Sequence, residues 1–153
     1  MKSLIGLFYL LGAGVAASAA PPPYDPAANA HAALDGAVAE AKSEGKYVLV
    51  VFGANWCEDC RELDKAMRGS SAPLLDSRFV VVKIDVGNFN RNLDLAQRYG
   101  NPIAKGIPAA VVVTPEDQLL YSTRGGELAN ARRMGAKGIY DFFERVVGQY
   151  RPS

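Results

Sequence analysis

Both cysteines of this chain fall inside one short stretch, Trp56-Cys57-Glu58-Asp59-Cys60, which directly follows the apolar run Tyr47 to Phe52. That arrangement constrains the rest of the chain more than any other feature does. A structural metal site offers more ligands than two. Two thiols spaced C-x-x-C at the end of a strand, in a chain that leaves the cytoplasm, read instead as a redox dithiol. A helix beginning at Cys57 would place its first-turn N–H groups and positive dipole end on that sulfur and stabilise a thiolate there. Cys60, one turn further on, is close enough to close a disulfide onto it. Cys57 is then the nucleophile that attacks a client disulfide, and Cys60 the thiol that resolves the mixed disulfide.

The N-terminus supplies the compartment. Lys2 forms a positive n-region, Leu4 to Ala17 a short apolar stretch, and Ala17-Ser18-Ala19 an A-x-A cleavage pattern, so residues 1–19 read as a cleaved signal peptide. The apolar run is shorter than the ~20 residues of a spanning helix, and no basic stop-transfer segment follows it. No cysteine stands near the cleavage point to receive a lipid, and the C-terminal Gln149-Tyr150-Arg151-Pro152-Ser153 holds no retention sequence. A bacterial periplasm is the expected address. Removing residues 1–19 takes away one cation and leaves 16 Lys+Arg against 16 Asp+Glu. Such a balance offers no electrostatic case for nucleic acid or an anionic membrane surface.

Residues 20–25, with Pro21-Pro22-Pro23, read as an extended tether. Residues 26–153 read as one domain, a length that buries a sizeable core. Asp25-Pro26 has the form of an N-cap and first helical position, and Ala27, Ala30, Leu34, Val38 and Ala41 recur at helical spacing, which predicts a helix over 26–44. His31, the sole histidine, sits in it as a half-exposed surface residue. Tyr47 to Phe52 is apolar on both alternations, as in a strand covered on both faces. Helical spacing resumes from Cys57 to Met67, with Cys60, Leu63 and Met67 on one face. Ala72 to Ser77 reads as a short helical turn, Phe79 to Val86 as a second covered strand, and 88–98 as a polar-faced helix using Phe89, Leu93 and Ala96. Ala109 to Val113 and Leu119 to Thr123 form a hairpin across Thr114-Pro115-Glu116-Asp117. The stripe Ile139, Phe142, Phe143, Val146, Val147 and Tyr150 closes the chain as a helix. The order predicts an α/β fold, a mixed sheet with helices on both sides.

W-C-x-x-C after the first covered strand, together with Gly106-Ile107-Pro108 ahead of the third, resembles the thioredoxin family over residues 45–150. The resemblance implies a thioredoxin fold with a central mixed sheet of about four strands flanked by helices on both faces. It implies a thiol–disulfide oxidoreductase, with no cofactor beyond a redox-active Cys57–Cys60 disulfide and no metal. It implies too that Pro108 is cis and faces the dithiol, that Ile107 offers backbone groups to an extended client segment, and that Trp56 lies on the client-binding rim. Two departures stand out. Many family members hold a buried Asp six residues before the first cysteine and a lysine partner on the next strand; those positions here are Val51 and, by ungapped comparison from Ile84-Asp85, Val81. The proline that kinks the active-site helix of many relatives is replaced by Lys65.

Glu58 and Asp59 are the redox-tuning candidates. Two carboxylates about 6–8 Å from a thiolate, at an effective dielectric of about 40, each disfavour it by about 1 kcal/mol, with Arg61 as a partial offset. The expected direction is reduction of client disulfides, with isomerisation or oxidation as alternatives. Expected partners are disulfide-containing clients and a membrane thiol donor of electrons, acting on a monomer. The cations Arg124, Arg132, Arg133 and Lys137 read as solvated loop charge. Two readings from other classes stand beside these. A metal-handling module is poorly supplied with ligands, and a binding module with a structural disulfide would not require Trp56 or the Ile107-Pro108 rim.

Overall fold

A computed structural model describes residues 18–150. The segment read as a signal peptide lies, up to residue 17, outside the described residues. The elements run α1 (Ala30–Glu44), β1 (Tyr47–Gly53), α2 (Glu58–Arg68), α3 (Ala72–Asp76), β2 (Phe79–Asp85), α4 (Leu93–Arg98), a 3-10 turn (Pro102–Lys105), β3 (Ala109–Val113), β4 (Leu119–Ser122) and α5 (Ala131–Gln149). The four strands form one mixed sheet in the order β2-β1-β3-β4. β1 runs parallel to β2 and antiparallel to β3, and β3 pairs antiparallel with β4.

The uninterrupted apolar character of β1 has its cause in this layering. Val48, Val50 and Phe52 pack under Leu34 and Ala41 of α1 and Leu95 of α4. Leu49 and Val51 pack against Leu63 of α2 and Phe143 and Val146 of α5. Both faces are covered, so neither alternation can be polar. Of the predicted α5 stripe, Ile139, Phe142, Phe143, Val146 and Val147 are buried, while Tyr150 is the C-cap with extended backbone and is half-buried. At Gly135 (φ 64°, ψ 173°) the chain leaves helical geometry, and the turn Ala131–Met134 is set off from the rest of α5. That backbone conformation is one a glycine adopts without cost.

Several predicted boundaries differ from what is observed. α1 begins at Ala30 with Asn29 as its N-cap, the side chain accepting from Ala32 N. Asp25 instead closes a local turn, accepting from Ala27 N at 2.8 Å, and the Pro26 carbonyl accepts from Arg91 Nη1. The helix expected over 88–98 is confined to Leu93–Arg98. Positive φ at Gly87, Phe89 and Asn92 breaks the earlier part, and Asn90 and Asn92 bond locally to Asn88 N and the Asp85 carbonyl. Asparagine side chains compete in this way with the helical ladder. Within the segment read as a tether, Tyr24 is 1% exposed and packs into the core.

The core also holds charge, at a place other than position 51. Val51 is fully buried and lies opposite Lys83 in register. The Lys83 ammonium reaches Asp64 on α2, whose carboxylate is 2% exposed and also takes Arg68 at 2.5 Å. A buried ion pair is therefore present, built from helix α2 and strand β2.

Candidate active site

The register of the sheet brings the dithiol and the proline together. Phe52 near the end of β1 pairs with Ala109 at the start of β3. The residues that follow Gly53 and those that precede Ala109 therefore meet at one end of the sheet. Cys57 Sγ lies 3.6 Å from the Ile107 carbonyl oxygen, and the Ile107–Pro108 peptide is cis. Both residues are buried.

Cys57 is the N-cap of α2, with extended backbone (φ −78°, ψ 113°). Its sulfur accepts the Cys60 N–H at 3.1 Å. This puts an otherwise unsatisfied N–H and the positive end of the helix dipole on one sulfur, which favours a thiolate there over its protonated form. The two cysteines are joined as a disulfide. Cys57 keeps 6% exposure and Cys60 none, so an incoming sulfur meets Cys57 first.

Around the pair stand residues whose roles come from distant parts of the chain. Trp56 is 55% exposed, its indole N–H donating to the Gly87 carbonyl at 2.9 Å. Phe89, at 43% exposure, meets it edge-on with ring centroids 6.3 Å apart. The predicted helix would have turned Phe89 toward the core; the broken segment leaves it as the second aromatic of the rim. Asn55 anchors the N-terminal segment, accepting from Tyr24 N and donating to the Tyr24 carbonyl. The Asn55 carbonyl accepts from Arg61 Nη1 at 2.8 Å, so Arg61 is occupied there.

Glu58 and Asp59 do not face solvent alone. Arg132, in the offset first turn of α5, pairs its guanidinium with both carboxylates, and its backbone N–H donates to Asp59 Oδ1 at 2.9 Å. Arg132 is thus a partner of the dithiol dipeptide rather than solvated loop charge. It sets a positive charge against Glu58 and Asp59. Arg132→Ala should raise the Cys57 thiol pKa by about half a unit to one unit, since two acids near the thiolate lose their counter-charge. The pH dependence of Cys57 alkylation in the reduced protein measures this, and an unchanged profile would remove Arg132 from the site.

His31 forms a surface pair with Asp94 at 2.7 Å. Among the described residues no three His, Cys, Asp or Glu side chains are grouped to hold a metal. A cleft of about 670 Å³, lined by Met67, Arg68, Leu75, Val81 and Lys83, shares no residue with the dithiol.

A family model described as thioredoxin-like matches residues 29–115. The chain belongs to the thioredoxin-like family. Over 120 residues it is 32% identical to the thiol:disulfide interchange protein DsbD 2 of Pseudomonas aeruginosa, an alignment that covers 71% of this chain and 18% of that protein. The chain therefore spans less than a fifth of that curated relative. A solved structure of a disulphide isomerase from Xylella fastidiosa Temecula1 is 53% identical with a TM-score of 0.81, over 84% of this chain and 99% of that one. The thioredoxin NaTrxh of Nicotiana alata shares the fold at 23% identity and a TM-score of 0.53, over 89% of this chain and 99% of its own. With the dithiol and its rim in place, this thioredoxin-like chain is of the thiol–disulfide oxidoreductase class.

Proposed function

We propose that this thioredoxin-like protein works in the periplasm, reducing disulfides of client proteins through Cys57 and Cys60. The observation that carries the reading is the Cys57 sulfur itself. It accepts the Cys60 N–H at a helix start, lies 3.6 Å from the Ile107 carbonyl, and belongs to the more exposed of the two cysteines. The Cys57 thiolate attacks one sulfur of a client disulfide, forming a mixed disulfide and expelling the other client sulfur as a thiolate, which takes up a proton. Cys60 then loses its proton and attacks Cys57 Sγ. The Cys57–Cys60 bond forms, the mixed disulfide breaks, and the second client sulfur leaves. Two electrons pass from the dithiol to the client. Trp56 and Phe89 present an exposed apolar ledge to the client, and the Ile107 backbone lies beside the reacting sulfur.

The periplasmic address rests on the leader pattern in residues 1–19, and the reductive direction on Glu58 and Asp59, tempered by Arg132. A reductase in an oxidising compartment needs a thiol donor of electrons, here assigned to a membrane protein. The likeness to a protein described as a disulphide isomerase favours a second reading, isomerisation. It begins with the same Cys57 attack but ends when a client thiol, rather than Cys60, releases the enzyme.

Cys60→Ala separates these and tests both. Exported to the periplasm, the variant is expected to accumulate mixed disulfides through Cys57 that a reductant releases. Purified, it should lose net reduction while keeping isomerisation if isomerisation is its work. A variant that accumulates no adducts in the periplasm would sink the proposal.

A further inference from the structure

Cys60 is fully buried, and burial in apolar surroundings raises a thiol's pKa. Resolution nonetheless needs its thiolate. No acid stands at position 51 to assist: that residue is Val51, and it too is fully buried. The group that stands beside Cys60 comes from outside the expected domain. A Cβ added to Gly53 would strike the Tyr24 hydroxyl and lie 2.9 Å from Cys60 Sγ, so phenol and sulfur share the space over one glycine.

Tyr24 is held there by the dithiol loop. Its backbone N–H donates to Asn55 Oδ1 at 3.0 Å, and its carbonyl accepts from Asn55 Nδ2 at 2.7 Å. Two residues on, the Pro26 carbonyl accepts from Arg91. Asn55 precedes Cys57 by two positions, so the clamp and the nucleophile belong to one turn.

We infer that the Tyr24 hydroxyl donates a hydrogen bond to the Cys60 thiolate when the disulfide opens, and so sets the rate of resolution. The inference rests on the oxidoreductase reading above. Burial, and then the charge of Asp85, push the Tyr24 pKa far above its ordinary value. The phenol thus stays protonated and can donate but cannot act as base. The proton that Cys60 gives up passes through water to the departing client thiolate, and the step balances as one thiol consumed and one released. The other charges nearby are committed elsewhere. Asp85, register partner of Gly53, lies 3.5 Å from Arg91. Asp64, one turn beyond Cys60, is held by Lys83 and Arg68. Glu58 and Asp59 are held by Arg132.

The test is Tyr24→Phe, which keeps the ring and removes only the donor. In a Cys57→Ala background, NMR of the labelled Cys60 Cβ carbon should show its pKa raised by about one unit, the size expected from losing one hydrogen bond to a charged group. In the otherwise intact protein, resolution of a preformed Cys57–glutathione adduct should slow about tenfold at neutral pH. The gap should close as pH rises past the Cys60 pKa, which a merely structural defect would not do. Alkylation of Cys57 should be unaltered. If Tyr24→Phe fails to fold, Asn55→Ala, which unclamps the Tyr24 backbone, should shift the Cys60 pKa in the same direction. An equal or lower Cys60 pKa in the folded variant would overturn the assignment. Should the wild-type protein leave the glutathione adduct unresolved at every pH, the oxidoreductase reading falls instead, while the Cys60 pKa comparison still decides the role of Tyr24.

Discussion

Cys57→Ser should lower dithiol turnover by about 1,000-fold or more while leaving the protein folded. A serine hydroxyl is not ionised at neutral pH and is a far poorer nucleophile toward sulfur, so the first bond to the client does not form. Serine is among the best N-cap residues, and its oxygen can take over the Cys60 N–H now accepted by Cys57 Sγ. The cap of α2 is kept. Loss of a disulfide that closes so short a loop costs about 2 kcal/mol by the chain-entropy estimate. Activity and stability are therefore expected to separate. The check is insulin reduction by the variant beside its urea midpoint, and appreciable residual turnover would mean that Cys60 can serve as the attacking sulfur.

The second large effect is one of stability. Asp64→Ala should destabilise the protein by about 3 kcal/mol, within the range for breaking a buried ion pair from one side. Asp64 is 2% exposed, and the Lys83 side chain 21%, so removing the carboxylate leaves an ammonium mostly shut away from water. Arg68, about half exposed, can turn to solvent and adds little to the loss. Lys83→Met should cost less, because Asp64 would keep Arg68. Burial already lowers the Lys83 pKa below its ordinary value. A cation whose pKa is depressed by folding penalises the native state below that folded pKa. The penalty fades as pH climbs toward the unfolded value of about 10.4. The deficit of Asp64→Ala should accordingly narrow between neutral pH and about pH 10. Urea midpoints across that range decide it; a deficit independent of pH would mean the loss is one of packing and not of charge.

What the chain discloses before folding is whatever is encoded locally. Cys57, Cys60 and Pro108 declare themselves by spacing and by their place at strand ends, and the α5 stripe by its period. The doubly apolar β1 shows that two layers cover it. The partners of those residues are another matter. Asn55 meets Tyr24 across 31 positions, Trp56 meets Gly87 across 31, and Arg132 meets Asp59 across 73. No periodicity links such pairs, because each contact exists only once the sheet has set the distance between its elements. The run before α4 departs for a different reason: its spacing fits a helix, but the side chains of Asn90 and Asn92 bond locally and the backbone is left-handed at Phe89 and Asn92. Arg132 could not be placed without the break at Gly135 that turns the start of α5 toward α2.

The unequal cover over the two sulfurs also bears on stalled adducts. Under the proposed mechanism, a client that binds badly would still end up attached at Cys57, and thiols from outside would have to compete for a sulfur already hemmed in by that client. Cys60 sits one helical turn away at a high effective concentration. Clearing a jammed enzyme would thereby be an internal event, timed by the protein itself rather than by the thiol content of its surroundings.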